Sequence, residues 1–199
     1  MQTLKMLAAG WLIGAGVLIA LSVDPGGRAL RASSVPLPAA AESGPERRRM
    51  PELRPAGGIL IPVQGISADQ LRDSFSEVRG GGSRIHRAMD ILAPQGTPVF
   101  AAVDGTVKKL FNSRAGGITL YQYDVAEETI YYYAHLDRYA NGMAEGLFVK
   151  QGAVIGYVGV TGNAGTTPHL HFSIERLPPT KEWWKGEPVN PYPILRAAR

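Results

Sequence analysis

Apolar and polar positions divide the chain into three stretches of different character. Residues 6–23 are apolar and uncharged, with Lys5 before them and Asp24-Pro25-Gly26-Gly27 after. That length is long for a signal-peptide core and near the minimum for a membrane-spanning helix, so a cleaved signal and a retained inner-membrane anchor both fit. Ala20-Leu21-Ser22 offers small residues for cleavage, while the charge ahead of the run is thin. Either way, residues 1–23 predict export to the periplasm or cell envelope. From 24 to 56 no strand or helix period survives. Pro25, Pro36, Pro38, Pro45, Pro51 and Pro55 interrupt alanine, serine and the run Arg47-Arg48-Arg49. Such a composition predicts a flexible linker with a reach of roughly 30 Å.

The third stretch, 57–199, alternates in short runs bounded by Gly, Pro, Asn and Asp. Runs at 98–103, 105–111, 118–123, 129–134, 153–158 and 169–175 are rich in Val, Ile, Tyr, Thr and Phe, which predicts strands. Asp104-Gly105 between two of them predicts a hairpin. Helix is expected only as single turns near 67–75 and 182–185. The fold class is therefore all-β, an antiparallel sandwich or barrel-like domain, preceded by an N-terminal hydrophobic helix and the linker.

Composition adds little to the fold and more to the chemistry. Of 199 residues, 45% are hydrophobic and 19% charged, and the 24 glycines and 15 prolines favour strands and turns over long helices. The net charge of +4 fits a solvated surface. Basic residues do not cluster with interleaved aromatics, so no nucleic-acid partner is expected. The chain has no cysteine, which leaves nitrogen and oxygen as the ligands for any metal.

All four histidines fall between 86 and 171, in three short motifs. In His169-Leu170-His171-Phe172-Ser173-Ile174, strand alternation projects both imidazoles to one face and the apolar residues to the other. Two adjacent buried imidazoles lacking partners would each cost about 2–7 kcal/mol, so a shared cation, water or substrate explains the pair better than packing. His86-Arg87-Ala88-Met89-Asp90 follows Gly80-Gly81-Gly82, which puts the histidine in a loop and the aspartate at a strand start. Alone, that spacing is equally a surface hydrogen bond. In Thr129-Ile130-Tyr131-Tyr132-Tyr133-Ala134-His135, alternation puts Tyr131, Tyr133 and His135 on one face. Beside the other motifs His135 becomes a candidate base or transition-state donor.

Together these segments resemble the M23 family of zinc metallopeptidases, the LytM or lysostaphin-like domains, over residues 73–175. The motifs are H-x-x-x-D at 86–90, Tyr133-Ala134-His135, and a glycine-rich approach through Gly156, Gly159 and Gly162 to His169-Leu170-His171. Pro94-Gln95-Gly96-Thr97-Pro98-Val99 and Ala101-Ala102-Val103-Asp104-Gly105 fit the same pattern. The resemblance implies one Zn²⁺ held by His86, Asp90 and His171 with a fourth position for water. It implies His135 and His169 as the catalytic histidines; alternation alone does not say which of His169 and His171 meets the metal. The activity implied is hydrolysis of peptide cross-links in bacterial peptidoglycan. Two other readings stand beside it: a non-catalytic activator of a cell-wall amidase, whose known examples have lost ligands or catalytic histidines, and a zinc peptidase acting on another exported peptide. The chain departs from the pattern at Ala88 and Ser76, where glycine is usual, and at Ser173, where an acidic residue is frequent. Gly80–Gly82 and Gly116-Gly117 suit either close approach of a substrate chain or tight turns. Trp183 and Trp184 are expected in a C-terminal flap packed on the sheet.

Overall fold

A computed structural model describes residues 58–198; the predicted hydrophobic helix and linker lie outside them. The strands are β1 (Val78–Arg79), β2 (Arg84–Ile85), β3 (Met89–Leu92), β4 (Pro98–Phe100), β5 (Gly105–Ser113), β6 (Gly117–Asp124), β7 (Thr129–Tyr139), β8 (Phe148–Val149), β9 (Val154–Val158), β10 (His169–Arg176) and β11 (Glu187–Val189). One α-helix among the described residues, α1 (Pro191–Arg196), follows, capped by the Asn190 side chain accepting from the Tyr192 N–H. A 3₁₀ turn at Ala68–Gln70 and a turn closed by Lys185 N–H to Glu182 O correspond to the two expected helical turns. No helix among the described residues is long and apolar enough to cross a membrane.

Nine strands form one sheet, in the order β11-β10-β7-β6-β5-β8, with β3 on β10 and β9 joining β7 to β4. Every pairing is antiparallel. β1 and β2 make a separate hairpin. β10 is the central strand for chemistry. It pairs with β3 through His169–Phe172 and with β7 through His171–Arg176, so three of the motifs meet at one place. Its alternate residues Leu170, Phe172 and Ile174 are fully buried, together with Met89, Leu120, Tyr131, Tyr133 and Leu136. A buried apolar side chain of this size stabilises by about 1.5–3 kcal/mol, and this layer is what holds the site face rigid. The Tyr133 hydroxyl donates to Gln122 Oε1 (2.8 Å) and accepts from the Ala102 N–H (2.9 Å), so the one polar atom it buries is satisfied.

Three expectations need correction. The Asp104-Gly105 hairpin does not form, because β4 pairs with β9 and β5 with β6. Asp104 instead accepts from the Gln151 N–H and from Lys150, which pins a different loop. The run at 98–103 leaves the sheet after Phe100, where a bulge redirects it; Ala101 and Ala102 then bond to Ala153 and Tyr133. Finally, Tyr131 and Tyr133 enter the core, whereas His135 does not share their face. His135 has φ +59°, its N–H donates to Gly116 O, and the pairing of β7 slips there against β6 and again between Leu136 and Arg138 against β9. One residue in the left-handed region shifts the alternation by one position, so that His135 turns toward the same side as Tyr132.

Candidate metal centre

The sheet brings His86, Asp90 and His171 together, each offering one ligand atom within 4.8 Å of the others. His86 Nε2 lies 3.0 Å from Asp90 Oδ1 and 3.0 Å from His171 Nδ1, and His171 Nδ1 is 3.1 Å from Asp90 Oδ1. Register explains half of this, since β3 pairs Asp90 directly with His171. The loop before β3 explains the rest. Arg87, at φ +58°, reverses the chain, and the N–H groups of His86 and Arg87 are held by the carbonyls of Glu77 and Phe75. The left-handed residue is Arg87 and not Ala88, which is why the Cβ at 88 is accommodated, buried in the core.

Proton positions follow from the partners. His86 Nδ1 donates to Ser74 O (2.9 Å), His135 Nδ1 to Thr161 O (2.8 Å) and His169 Nδ1 to Thr167 O (2.8 Å). A carbonyl can only accept, so each of these rings carries its proton on Nδ1 and leaves Nε2 with a lone pair. His86 therefore presents a lone pair to the Asp90 carboxylate. Burial pushes the Asp90 carboxyl up, but the hydrogen bond from His171 and the nearness of the His86 ring outweigh it and hold it well below the usual carboxylate range. Lone pairs and a carboxylate at about 3 Å repel unless a proton or cation sits among them. A triangle of this size lets one ion touch all three at the about 2.0–2.2 Å that zinc requires, so the donor set fits Zn²⁺.

His135 and His169 stand beside the triangle, with ring centroids 4.9 Å apart; His135 is 5.5 Å from His171, and His169 Nε2 is 3.8 Å from Asp90 Oδ1. Burial pushes His135 down to about 4, against the opposing hydrogen bond to Thr161, so it is neutral at pH 7. Burial also lowers His171. The five residues line a cleft of about 240 Å³ with Tyr132, Arg79 and Arg84. A second depression of about 520 Å³ shares Arg79, Asp90 and His169 and continues over Leu71 and Leu92, so the groove extends past the cluster.

All five histidine and aspartate candidates thus converge. Several supporting groups escape sequence reading. Ser74 gives its carbonyl to His86 and its hydroxyl to the Asp90 N–H, and Thr161 and Thr167 act through carbonyls that no residue type encodes. Arg79, 2.9 Å from Asp90 Oδ2 and from Glu77 Oε2, belongs to no motif that would mark it in the sequence. Gly116 and Gly117 serve packing. A Cβ on Gly117 would fall 2.5 Å from Gly162 N, and one on Gly116 would fall 2.3 Å from the Tyr132 hydroxyl. Trp183 does pack on the sheet, 4.6 Å from Tyr121 and 5.9 Å from Phe111, while Trp184 is exposed.

An antiparallel β domain whose central strand gathers a His-Asp-His triangle and two flanking histidines is of the metallopeptidase type. The chain belongs to peptidase family M23, whose sequence profile matches residues 84–191. It is 38% identical over 133 residues to the L-Ala--D-Glu endopeptidase of Bacillus subtilis, covering 63% of this chain and 39% of that protein. It is 39% identical over 94 residues to the peptidoglycan DD-endopeptidase ShyC of Vibrio cholerae, covering 46% and 20%. The chain therefore spans well under two thirds of the length of these curated relatives. Among solved structures, the catalytic domain of lysostaphin from Staphylococcus simulans superposes with a TM-score of 0.53 at 26% identity, covering 65% of this chain and 96% of that one. Helicobacter pylori Csd3 gives 0.54 at 29%, covering 71% and 35%.

Proposed function

We propose that this chain is an exported zinc metalloendopeptidase that hydrolyses peptide cross-links of bacterial peptidoglycan. The observation that carries the reading is the convergence of His86, Asp90 and His171 on one point, with the lone-pair nitrogens of His135 and His169 beside it. His86, Asp90 and His171 hold the ion. Bound zinc supplies Lewis acidity, which polarises a peptide carbonyl and lowers the pKa of water toward 7. His135 Nε2, neutral at pH 7, accepts the proton of the attacking water; Thr161 O then stabilises the resulting imidazolium through Nδ1–H. His169, oriented in the same way by Thr167 O, stands beside the developing oxyanion, and the proton taken from water is the one returned to the leaving amine as the C–N bond breaks. A groove running past the cluster on the Leu71–Leu92 side suits a chain that continues beyond the scissile bond. The named endopeptidase relatives support peptidoglycan as the substrate.

The full chain, assayed for bound zinc and incubated with purified peptidoglycan, tests this. Mass spectrometry should find new peptide termini in the released fragments, and His135→Ala should abolish them while retaining zinc. A full zinc complement without cleavage would overturn the reading. Membrane fractionation with N-terminal sequencing of the exported form separates a cleaved signal from an anchor.

A further inference from the structure

The hairpin at the mouth of the cleft has a feature that peptide hydrolysis alone does not use. β1 and β2 pair with Arg79 directly opposite Arg84 and Val78 opposite Ile85. Facing residues of an antiparallel pair project to the same side, about 4.5–5.5 Å apart at Cβ, and like charges so placed destabilise the pair. Gly80, Gly81 and Gly82, all at positive φ, make the turn that enforces this register. Both arginines line the cleft that contains the metal cluster.

Only one of them is compensated. Arg79 is anchored by Glu77 and Asp90, whereas no carboxylate among the described residues pairs with Arg84, which is exposed. Asp90 is the sole carboxylate lining the cleft, and it already faces Arg79 and the site of the ion. With a divalent cation bound, the cleft is strongly positive, and the guanidinium of Arg84 is its unpaired part. A planar five-donor fork in a positive cleft matches a carboxylate, which it can grip with two parallel hydrogen bonds. We propose that Arg84 is a specificity-determining residue that binds a free carboxylate of the substrate peptide next to the scissile bond. Its substrates are therefore peptides that carry an unamidated carboxylate at that position. The proposal rests on the peptidase reading of the site and narrows it.

The test compares cross-linked muropeptides bearing free carboxylates with the same muropeptides converted to primary carboxamides. Zinc-loaded full-length wild type, Arg84→Gln and Arg84→Lys are each measured for kcat/KM and, by calorimetry, for binding. Wild type should favour the carboxylate form by about ten- to hundredfold, the value of a charge-assisted hydrogen bond. Arg84→Gln should reduce that ratio to about two or less at unchanged zinc content, and Arg84→Lys should restore part of it. Equal handling of both forms by wild type, or an unchanged ratio in Arg84→Gln, would overturn the assignment. If wild type binds with the Arg84-dependent preference but cleaves neither form, the peptidase reading fails and the carboxylate site stands.

Discussion

His135 shows how one backbone angle places a functional group. At φ +59° it occupies a region that side chains other than glycine rarely adopt, held there by Gly116 O on its N–H and Thr161 O on its ring. The motif containing it is legible in the sequence, but its direction is not, because strand alternation predicts the opposite face. Burial also sets its titration. With a folded value of about 4 against an ordinary 6.5, the unfolded chain takes up the proton first. Metal-free protein should therefore lose stability as pH falls from about 6.5 toward 4, by at most about 3 kcal/mol, and be flat in this respect above neutrality. Urea unfolding across that range should show a shallower slope for His135→Gln; an unchanged slope would assign the loss to other groups.

Among the elements, β10 follows its sequence faithfully. Alternation over 169–175 predicts the buried Leu170, Phe172 and Ile174, and the observed strand keeps that phase to Arg176. The unusual Ser173 is explained on the other face, that of His171, where its hydroxyl donates to Glu175 Oε1 at 2.7 Å, so a carboxyl group lies two residues further along. Burial pushes Glu175 up despite that bond. A raised carboxyl contributes stability below its ordinary range and loses it as pH rises through the folded value. Glu175→Gln should accordingly raise the thermal midpoint by about 2–4 °C near pH 8 and leave it unchanged near pH 4. Elements built by distant loops are less legible. The contact between Gly117 (φ +64°) and Gly162 (φ +72°) joins segments that no local pattern relates, and it fixes Thr161, whose hydroxyl bonds Leu136 O and the Ile118 N–H. A Cβ on Gly162 would meet Gly117 N at 2.3 Å and Ala115 O at 2.4 Å, both backbone atoms. Gly162→Ala should cost about 2 kcal/mol or more in chemical denaturation and lower peptidase activity beyond the fraction unfolded, through displacement of Thr161 O. Helix α1 is not legible in the sequence, since two prolines within six residues carry no helical period and its start depends on the Asn190 cap.

For the molecule as a whole, the proposed metal site ties binding to folding. The candidate ligand atoms come from the loop before β3, from β3 and from β10, so an ion gathered there would join segments that separate on unfolding. Zinc at about a thousandfold over its dissociation constant should stabilise by about 4 kcal/mol, seen as a raised thermal midpoint that a chelator reverses. Asp90→Asn should erase that increment, read against its own metal-free midpoint, which should itself fall because the folded protein stabilises the Asp90 carboxylate. Survival of the zinc increment in Asp90→Asn would remove Asp90 from the ligand set.

The carbonyls of Ser74, Thr161 and Thr167 that hold three imidazoles have one more implication. The tautomers on which proton traffic depends are set by main-chain oxygens, which every amino acid carries. Drift in the side chains at 161 and 167 can therefore leave the protonation pattern intact as long as the loop path survives. A census of invariant residues would miss these determinants altogether. Nitrogen-15 resonances of the rings, which separate a protonated Nδ1 from a bare one, would display them directly.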